Sequence, residues 1–250
     1  MKNVILSDRL NAVAGLVKSS DCVCDIGTDH GFVPIYLINS GVCHHALAMD
    51  INEGPLERAR EHIRENGLED VIETRLSNGM EELHPGDADA VICAGMGGLL
   101  MKRILEDGNP REKGIRQMVL QPQSDLRLFR EFLRREKYYI LDEAEIFEEG
   151  KYYVAILVSL DEKEENTAYN KVAAELKNNC DEETAIRICD RFGPCLIIKR
   201  DDTLKRYLER EKSICEGILL KLSEDEHAQR RHDIISKMND ISTVLDLYNF

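Results

Sequence analysis

No stretch of this sequence comes near the roughly 18 consecutive apolar residues that a membrane-spanning helix needs. The opening segment, Met1-Lys2-Asn3-Val4-Ile5-Leu6-Ser7-Asp8-Arg9, meets charge too early to serve as a secretory signal. C-x-x-C pairs are missing as well. The eight cysteines stand at 22, 24, 43, 93, 180, 189, 195 and 215, mostly in apolar company such as Val91-Ile92-Cys93-Ala94. They read as reduced, buried thiols of a cytoplasmic protein rather than as a disulfide framework. The seven histidines do not join them at zinc-ligand spacing, so no metal is expected. Positive charge is in short supply. Lys and Arg number 33 against 47 Asp and Glu, and the net charge of −14 argues against coating nucleic acid through bulk charge.

What is present suits a folded chain. Of the 250 residues, 43% are hydrophobic and 32% charged, too apolar for a disordered protein and long enough for one α/β domain with a smaller annex. Between Lys102 and Lys137 ten basic residues meet six acidic ones, so a local basic face survives the overall acidity. A monomer is expected rather than a stable oligomer.

From Asp21 to about Leu160, short apolar runs alternate with helical stretches. Strands are expected at Cys22–Ile26, Ala46–Asp50, Val71–Leu76, Ala88–Ala94 and Gln117–Gln121. Helices are expected from Phe32 to Asn39, from Gly54-Pro55 to Asn66, from Leu99 to Leu105, and from Ser124, as cap, to about Lys137. Gly67 suits a left-handed helix stop. Two β-rich runs, Tyr138–Phe147 and Lys151–Leu160, flank Glu148-Glu149-Gly150, a hairpin signal. A short amphipathic helix with Ser7 as cap precedes the first strand. Alternation of this kind predicts a mainly parallel sheet with helices on both faces and an antiparallel edge hairpin. After the charged stretch Asp161–Glu165 the pattern turns helical. Leu204, Leu208, Ile214 or Cys215, Ile218 or Leu219 and Leu222 form one seam; Ile234, Ile235, Met238, Ile241, Val244 and Leu245 form another. The expected division is therefore a cofactor-binding domain over 1–162 and a helical, coiled-coil-like domain over 163–250.

The informative segment is Asp25-Ile-Gly27-Thr-Asp29-His30-Gly31, in the loop where doubly wound sheets bind ligands. S-adenosylmethionine-dependent methyltransferases carry an acidic-x-Gly-x-Gly-x-Gly loop there, and Asp29 replaces its middle glycine. A carboxylate at that position suits a cationic sulfonium ligand better than a phosphate, which a helix N-terminus otherwise favours. Asp50, 25 residues beyond Asp25, ends the second strand where an acid accepts hydrogen bonds from ribose hydroxyls. Asn78-Gly79 reads either as the border of an adenine pocket or as a plain turn. Three glycines in Gly95-Met96-Gly97-Gly98 mark a backbone that passes close to something, or a tight turn before a helix.

Leu6-Ser-Asp-Arg-Leu10, Asp25-Ile-Gly-Thr-Asp-His30, Asn52-Glu-Gly-Pro55, Ala94-Gly-Met-Gly-Gly98 and Leu120-Gln-Pro122 occur in this order. With Arg191-Phe-Gly-Pro194 and the helical tail, the chain closely resembles the bacterial TrmK family, tRNA (adenine(22)-N1)-methyltransferases, along essentially its whole length. The resemblance implies a class I Rossmann-like methyltransferase fold, S-adenosyl-L-methionine as cofactor and tRNA as partner. It implies cofactor contacts from Asp25, Gly27, Thr28, His30, Asp50, Ile51, Asn52, Asn78, Gly79, Gly95, Met96 and Gly97. Two positions depart from the family pattern. Asn78 stands where an aspartate is expected, and Gly31 stands where a bulkier small residue is common, which should loosen the following helix.

Adenine N1 carries no proton, so attack on the methyl needs no prior base. Charge then developing on the ring is relieved through the exocyclic amine, and Asp29 is the expected hydrogen-bond acceptor for it. Arg9 is expected to hold a phosphate or to orient Asp29. Arg127, Arg130, Arg134 and Arg135 are expected to contact tRNA phosphates, with Lys199, Arg200, Lys205, Arg206 and Arg210 as a weaker second group. A class I methyltransferase acting on a protein or small molecule remains open from the residues alone, as does a non-catalytic binding module.

Overall fold

The structure is a computed structural model, and it describes residues 4–222 and 227–249; Met1–Asn3, at the head of the opening segment, lie outside the described residues. The chain divides into two compact units, residues 1–165 and 166–250, three residues beyond the boundary expected at 162.

The first unit is built on a seven-stranded sheet of β1 (Ser20–Ile26), β2 (Cys43–Asp50), β3 (Ile72–Leu76), β4 (Ala90–Met96), β5 (Gln117–Pro122), β6 (Tyr139–Glu148) and β7 (Lys151–Ser159). Their order is β3-β2-β1-β4-β5-β7-β6. The first five run parallel, and β7 enters antiparallel between β5 and β6. The buried central strands explain the near-continuous apolar runs, since both faces are covered. One face carries α1 (Asp8–Leu16), α2 (Phe32–Asn39) and α3 (Glu53–Asn66); α4 (Gly98–Gly108) and α5 (Leu126–Arg135) pair on the other. This is the expected Rossmann-like fold. Reversal of chain order beside β1, where β2 lies on one flank and β4 on the other, opens a crevice at the strands' carboxyl ends.

Local signals behave as their chemistry dictates. The Ser7 hydroxyl accepts from the Leu10 amide at 3.4 Å and caps α1. Gly67 stops α3 in the left-handed conformation, at φ 68°. Glu149 and Gly150, both at positive φ, make the two-residue turn of the β6–β7 hairpin. One expectation fails. Ser124 does not cap α5; it accepts the Gly98 amide at 3.3 Å and so serves the start of α4, while left-handed Asp125 precedes α5.

The second unit consists of α6 (Thr167–Leu176), α7 (Glu182–Phe192), α8 (Pro194–Lys199), α9 (Asp202–Leu219) and α10 (Ala228–Asp246). Helices α9 and α10 run antiparallel, with Lys237 bonded to Glu211 and the Tyr248 hydroxyl to the Asp201 carbonyl. Leu204, Leu208, Cys215, Ile241 and Val244 are buried along the expected seams, whereas Ile214 and Ile235 are exposed. Buried Asp240 takes hydrogen bonds from both Arg187 and Arg191 at 2.8 Å.

Among the described residues no helix is long and apolar enough to cross a membrane. All eight cysteines are free thiols. Burial pushes the Cys43 and Cys93 thiols up to about 12, so both stay protonated at neutral pH.

Candidate active site

A cleft of about 600 Å³ opens at the carboxyl ends of β1 and β4. Its floor is the β1–α2 loop from Gly27 to Gly31; Ile5–Ser7, Arg9 and Leu10 wall one side, and Ala94, Gly95, Gln123 and Glu148 contribute from β4, β5 and the hairpin tip.

The floor is pinned by two backbone bonds, from the amides of Gly27 and Thr28 to the Met49 carbonyl at 2.8 and 2.9 Å. Gly27 sits at φ +79°, a conformation that demands glycine, and the Met96 methyl packs against it. Gly31, at φ +69°, lies against α3, where an added Cβ would stand 3.2 Å from that of Ala59. The missing side chain therefore lets α3 pack close to the start of α2.

Asp25, at the end of β1, is buried, and burial raises its carboxyl from 3.8 to about 6. The Thr28 side chain opposes part of that rise, and nearby Asp50 adds to it. The buried Thr28 hydroxyl nevertheless makes no hydrogen bond of good geometry, and neither does Nδ1 of His30. The His30 ring stacks on Phe32 with centroids 5.2 Å apart, and its backbone carbonyl lies 2.9 Å from Nδ1 of His62. The loop thus presents a costly carboxyl and two unused polar atoms to the cleft.

Asp29 behaves differently. Its side chain is 68% exposed, and Oδ1 accepts from Nη2 of Arg58 at 2.6 Å while Oδ2 lies 3.4 Å from Nε2 of His30. Sequence reasoning missed Arg58.

Arg9 also reaches the cleft but does not orient Asp29. Its partners are Oε1 of Gln121 at 2.8 Å, Glu148, and the Tyr153 ring at 5.5 Å. That guanidinium lies beside Gly95, where the positive φ of +82° is what calls for glycine. Gln121 and Glu148 were likewise absent from the expected site.

The remaining expected cofactor contacts are spread along the strand ends. Asp50 ends β2, and its Oδ1 accepts the Asn52 amide at 2.7 Å, which orders the turn through exposed Ile51. Asn78 bonds Glu81 at 2.7 Å and lines a separate 300 Å³ cleft beside α4, while Gly79 packs on Ile104. Gly97 and Gly98 have another use: added carbons there would stand 3.2 and 2.5 Å from Ser124, so these glycines admit the β5–α5 loop.

Helix α5 requires the plainest correction. Arg130 is 1% exposed and bonds Glu143, itself 0% exposed, at 2.8 Å across to β6. An arginine consumed in a buried pair cannot meet a phosphate without uncovering a charge. Arg127 and Arg135 are exposed and flank Glu131, at 3.8 and 2.6 Å, and Arg134 is half-buried. In the second unit Arg200 is also structural, bonding the carbonyls of Leu247 and Ile197 and pairing with Glu175.

Comparison with known proteins gives a consistent picture. Residues 6–156 match the family model described as methyltransferase domain. The Bacillus subtilis tRNA (adenine(22)-N(1))-methyltransferase is 28% identical over 250 residues, covering 98% of this chain and 99% of that protein. A Streptococcus pneumoniae protein solved in complex with S-adenosyl-L-methionine superposes with a TM-score of 0.78 at 26% identity, covering 96% of this chain and 100% of the other. The M. capricolum TrmK in complex with S-adenosyl-homocysteine gives 0.76 at 28% identity, with coverage of 97% and 98%.

Proposed function

The chain belongs to the methyltransferase-domain family, and we propose that it transfers a methyl group from S-adenosyl-L-methionine to N1 of adenine 22 in tRNA. The observation that carries this reading is a division of labour between two carboxyls in one cleft. Asp25 is buried in the floor and Asp29 is exposed at the mouth. Near-complete likeness in length to a tRNA methyltransferase favours this substrate over a protein or small molecule.

The residues present fit the cofactor. A carboxyl raised to about 6 by burial gains from a cation beside it, and Thr28 and His30 hold unused polar atoms at the same floor. Asp50 and the turn through Ile51 and Asn52 offer an acceptor suited to ribose hydroxyls, with Asn78 and Gly79 farther along the strand ends. Gly95 lines the same cleft, and the Met96 methyl lies against Gly27. S-adenosyl-L-methionine supplies a methyl group activated by a sulfonium charge.

The chain's own part is positioning and electrostatics. Asp29 accepts a hydrogen bond from the adenine amine as positive charge spreads into the ring, and Arg58 keeps that carboxylate oriented. Because N1 carries no proton, no metal-activated base is called for. Arg9 stands across the mouth as a phosphate partner, and reaching it asks the target base to leave its stack. Arg127, Arg134 and Arg135 on α5 extend the phosphate track, and the helical unit assists in holding tRNA. The enzyme acts as a monomer in the cytoplasm.

The test is methyl transfer from labelled cofactor to tRNA lacking the modification, followed by nucleoside mass spectrometry. The expected product is 1-methyladenosine at position 22. Label recovered in protein, or at another tRNA position, overturns the proposal.

A further inference from the structure

Gln121 ends β5 with 0% exposure, and its Oε1 accepts from Nη1 of Arg9 at 2.8 Å. A guanidinium only donates hydrogen bonds, so this contact fixes which amide atom faces Arg9 and leaves Nε2 as the atom without a partner. Three further groups hold Arg9 in place. The Tyr153 ring lies 5.5 Å from the guanidinium carbon, Nη1 lies beside Gly95, and Glu148 accepts the Arg9 backbone amide at 3.3 Å. The Glu148 carboxylate stands back from the guanidinium, 4.0 Å from Nε.

The choice of an amide is informative. A carboxylate at 121 would bind Arg9 more strongly, as a charge-assisted pair, and at this depth would cancel most of its field. The amide instead fixes direction and leaves the charge in place. Building on the tRNA methylation reading, we propose that Gln121 is a positioning residue that aims Arg9 into the cleft with its charge intact. Arg9 then meets a phosphate of the target nucleotide.

Wild type, Gln121→Glu and Glu148→Gln are compared by calorimetry with S-adenosyl-L-methionine and by methylation kinetics on unmodified tRNA between 50 and 200 mM salt. In Gln121→Glu, KM for tRNA should rise about tenfold and the salt dependence should flatten by about one phosphate contact. Its kcat should stay within about threefold and its cofactor affinity should be unchanged. Glu148→Gln removes the carboxylate paired with Arg9, so its KM should fall two- to threefold, with a steeper salt dependence. A purely structural role for Gln121 would change stability and leave the salt slope alone. Wild-type KM and slope in Gln121→Glu overturn the proposal; should that variant fail to fold, an unchanged or raised KM in Glu148→Gln does so. A wild type that binds cofactor yet methylates no tRNA fells the underlying reading, whereas an active wild type with insensitive variants fells this inference alone.

Discussion

At the amino ends of β1 and β4, Asp89 accepts the backbone amides of Cys22 at 3.0 Å and Asp21 at 3.4 Å and pairs with Arg116. Burial pushes its carboxyl up, but these bonds outweigh burial and hold it below the ordinary range; Asp87 is held down in the same way by Arg75 and the His84 amide. At the carboxyl ends of the same strands the bookkeeping is left open. Asp25 is raised to about 6, while Thr28, His30 and Gln121 each keep a buried polar atom without a partner. Acids stand at both ends of the sheet, yet Asp87 and Asp89 are held down by bonds within the fold, whereas Asp25 is left raised by burial. Unmet polar groups are expensive, and their concentration at one end marks where a ligand completes the structure.

The largest expected effect lies at the open end. Asp29→Ala should lower kcat by at least about a hundredfold, the scale of losing one electrostatic stabiliser. Cofactor affinity and fold should survive, because Asp29 is mostly exposed; single-turnover methylation of tRNA measures this, and a near-normal rate removes Asp29 from the chemistry.

The sealed end should respond in stability instead. Asp89→Ala should cost about 2–3 kcal/mol by denaturant unfolding, the scale of losing hydrogen bonds to a charged group, with kcat unchanged. A group held below its unfolded value of 3.8 gives stability above that pH and loses it as pH falls through the folded value. The gap between wild type and variant should therefore close below about pH 4. A gap that persists in acid would contradict this assignment.

The smallest effect sharpens the contrast. Thr28→Val removes a buried hydroxyl that makes no hydrogen bond of good geometry, so stability without cofactor should move by less than about 1 kcal/mol. Cofactor affinity should drop severalfold by calorimetry, and an unchanged affinity would make Thr28 a packing residue only.

How far the sequence discloses all this depends on the range of the interactions. The strands, the Ser7 cap, the Gly67 stop and the Glu149-Gly150 turn were legible because each rests on a few neighbouring residues. Asp25, Asp29 and the glycine-bearing loop were legible because strand alternation places that loop at the carboxyl edge. Arg130 misled because its partner, Glu143, comes from another element, so only tertiary packing buries it. A clue was available: helical spacing puts Arg130 on one stripe with Leu126 and Leu133. The use of Gly31 was not legible for the same reason, since it arises from Ala59 on the neighbouring helix. Arg58 and Gln121 were missed because a surface helix and a strand end give no local sign of the side chain they will meet.

Under the proposed function the buried Asp25 carboxyl is kept for a cationic methyl donor. Burial that raises the folded value from 3.8 to about 6 makes the protonated form dominant in acid, and the cost of ionisation appears as pH climbs through that window. Titration calorimetry with S-adenosyl-L-methionine at pH 5 and pH 7.5 tests this directly, on wild type and Asp25→Asn. Wild type should bind more tightly at pH 7.5, by about tenfold, and release a proton on binding near pH 6; the variant should bind weakly with neither effect. Equal affinity at both pH values, or a variant that binds as wild type does, would contradict the account.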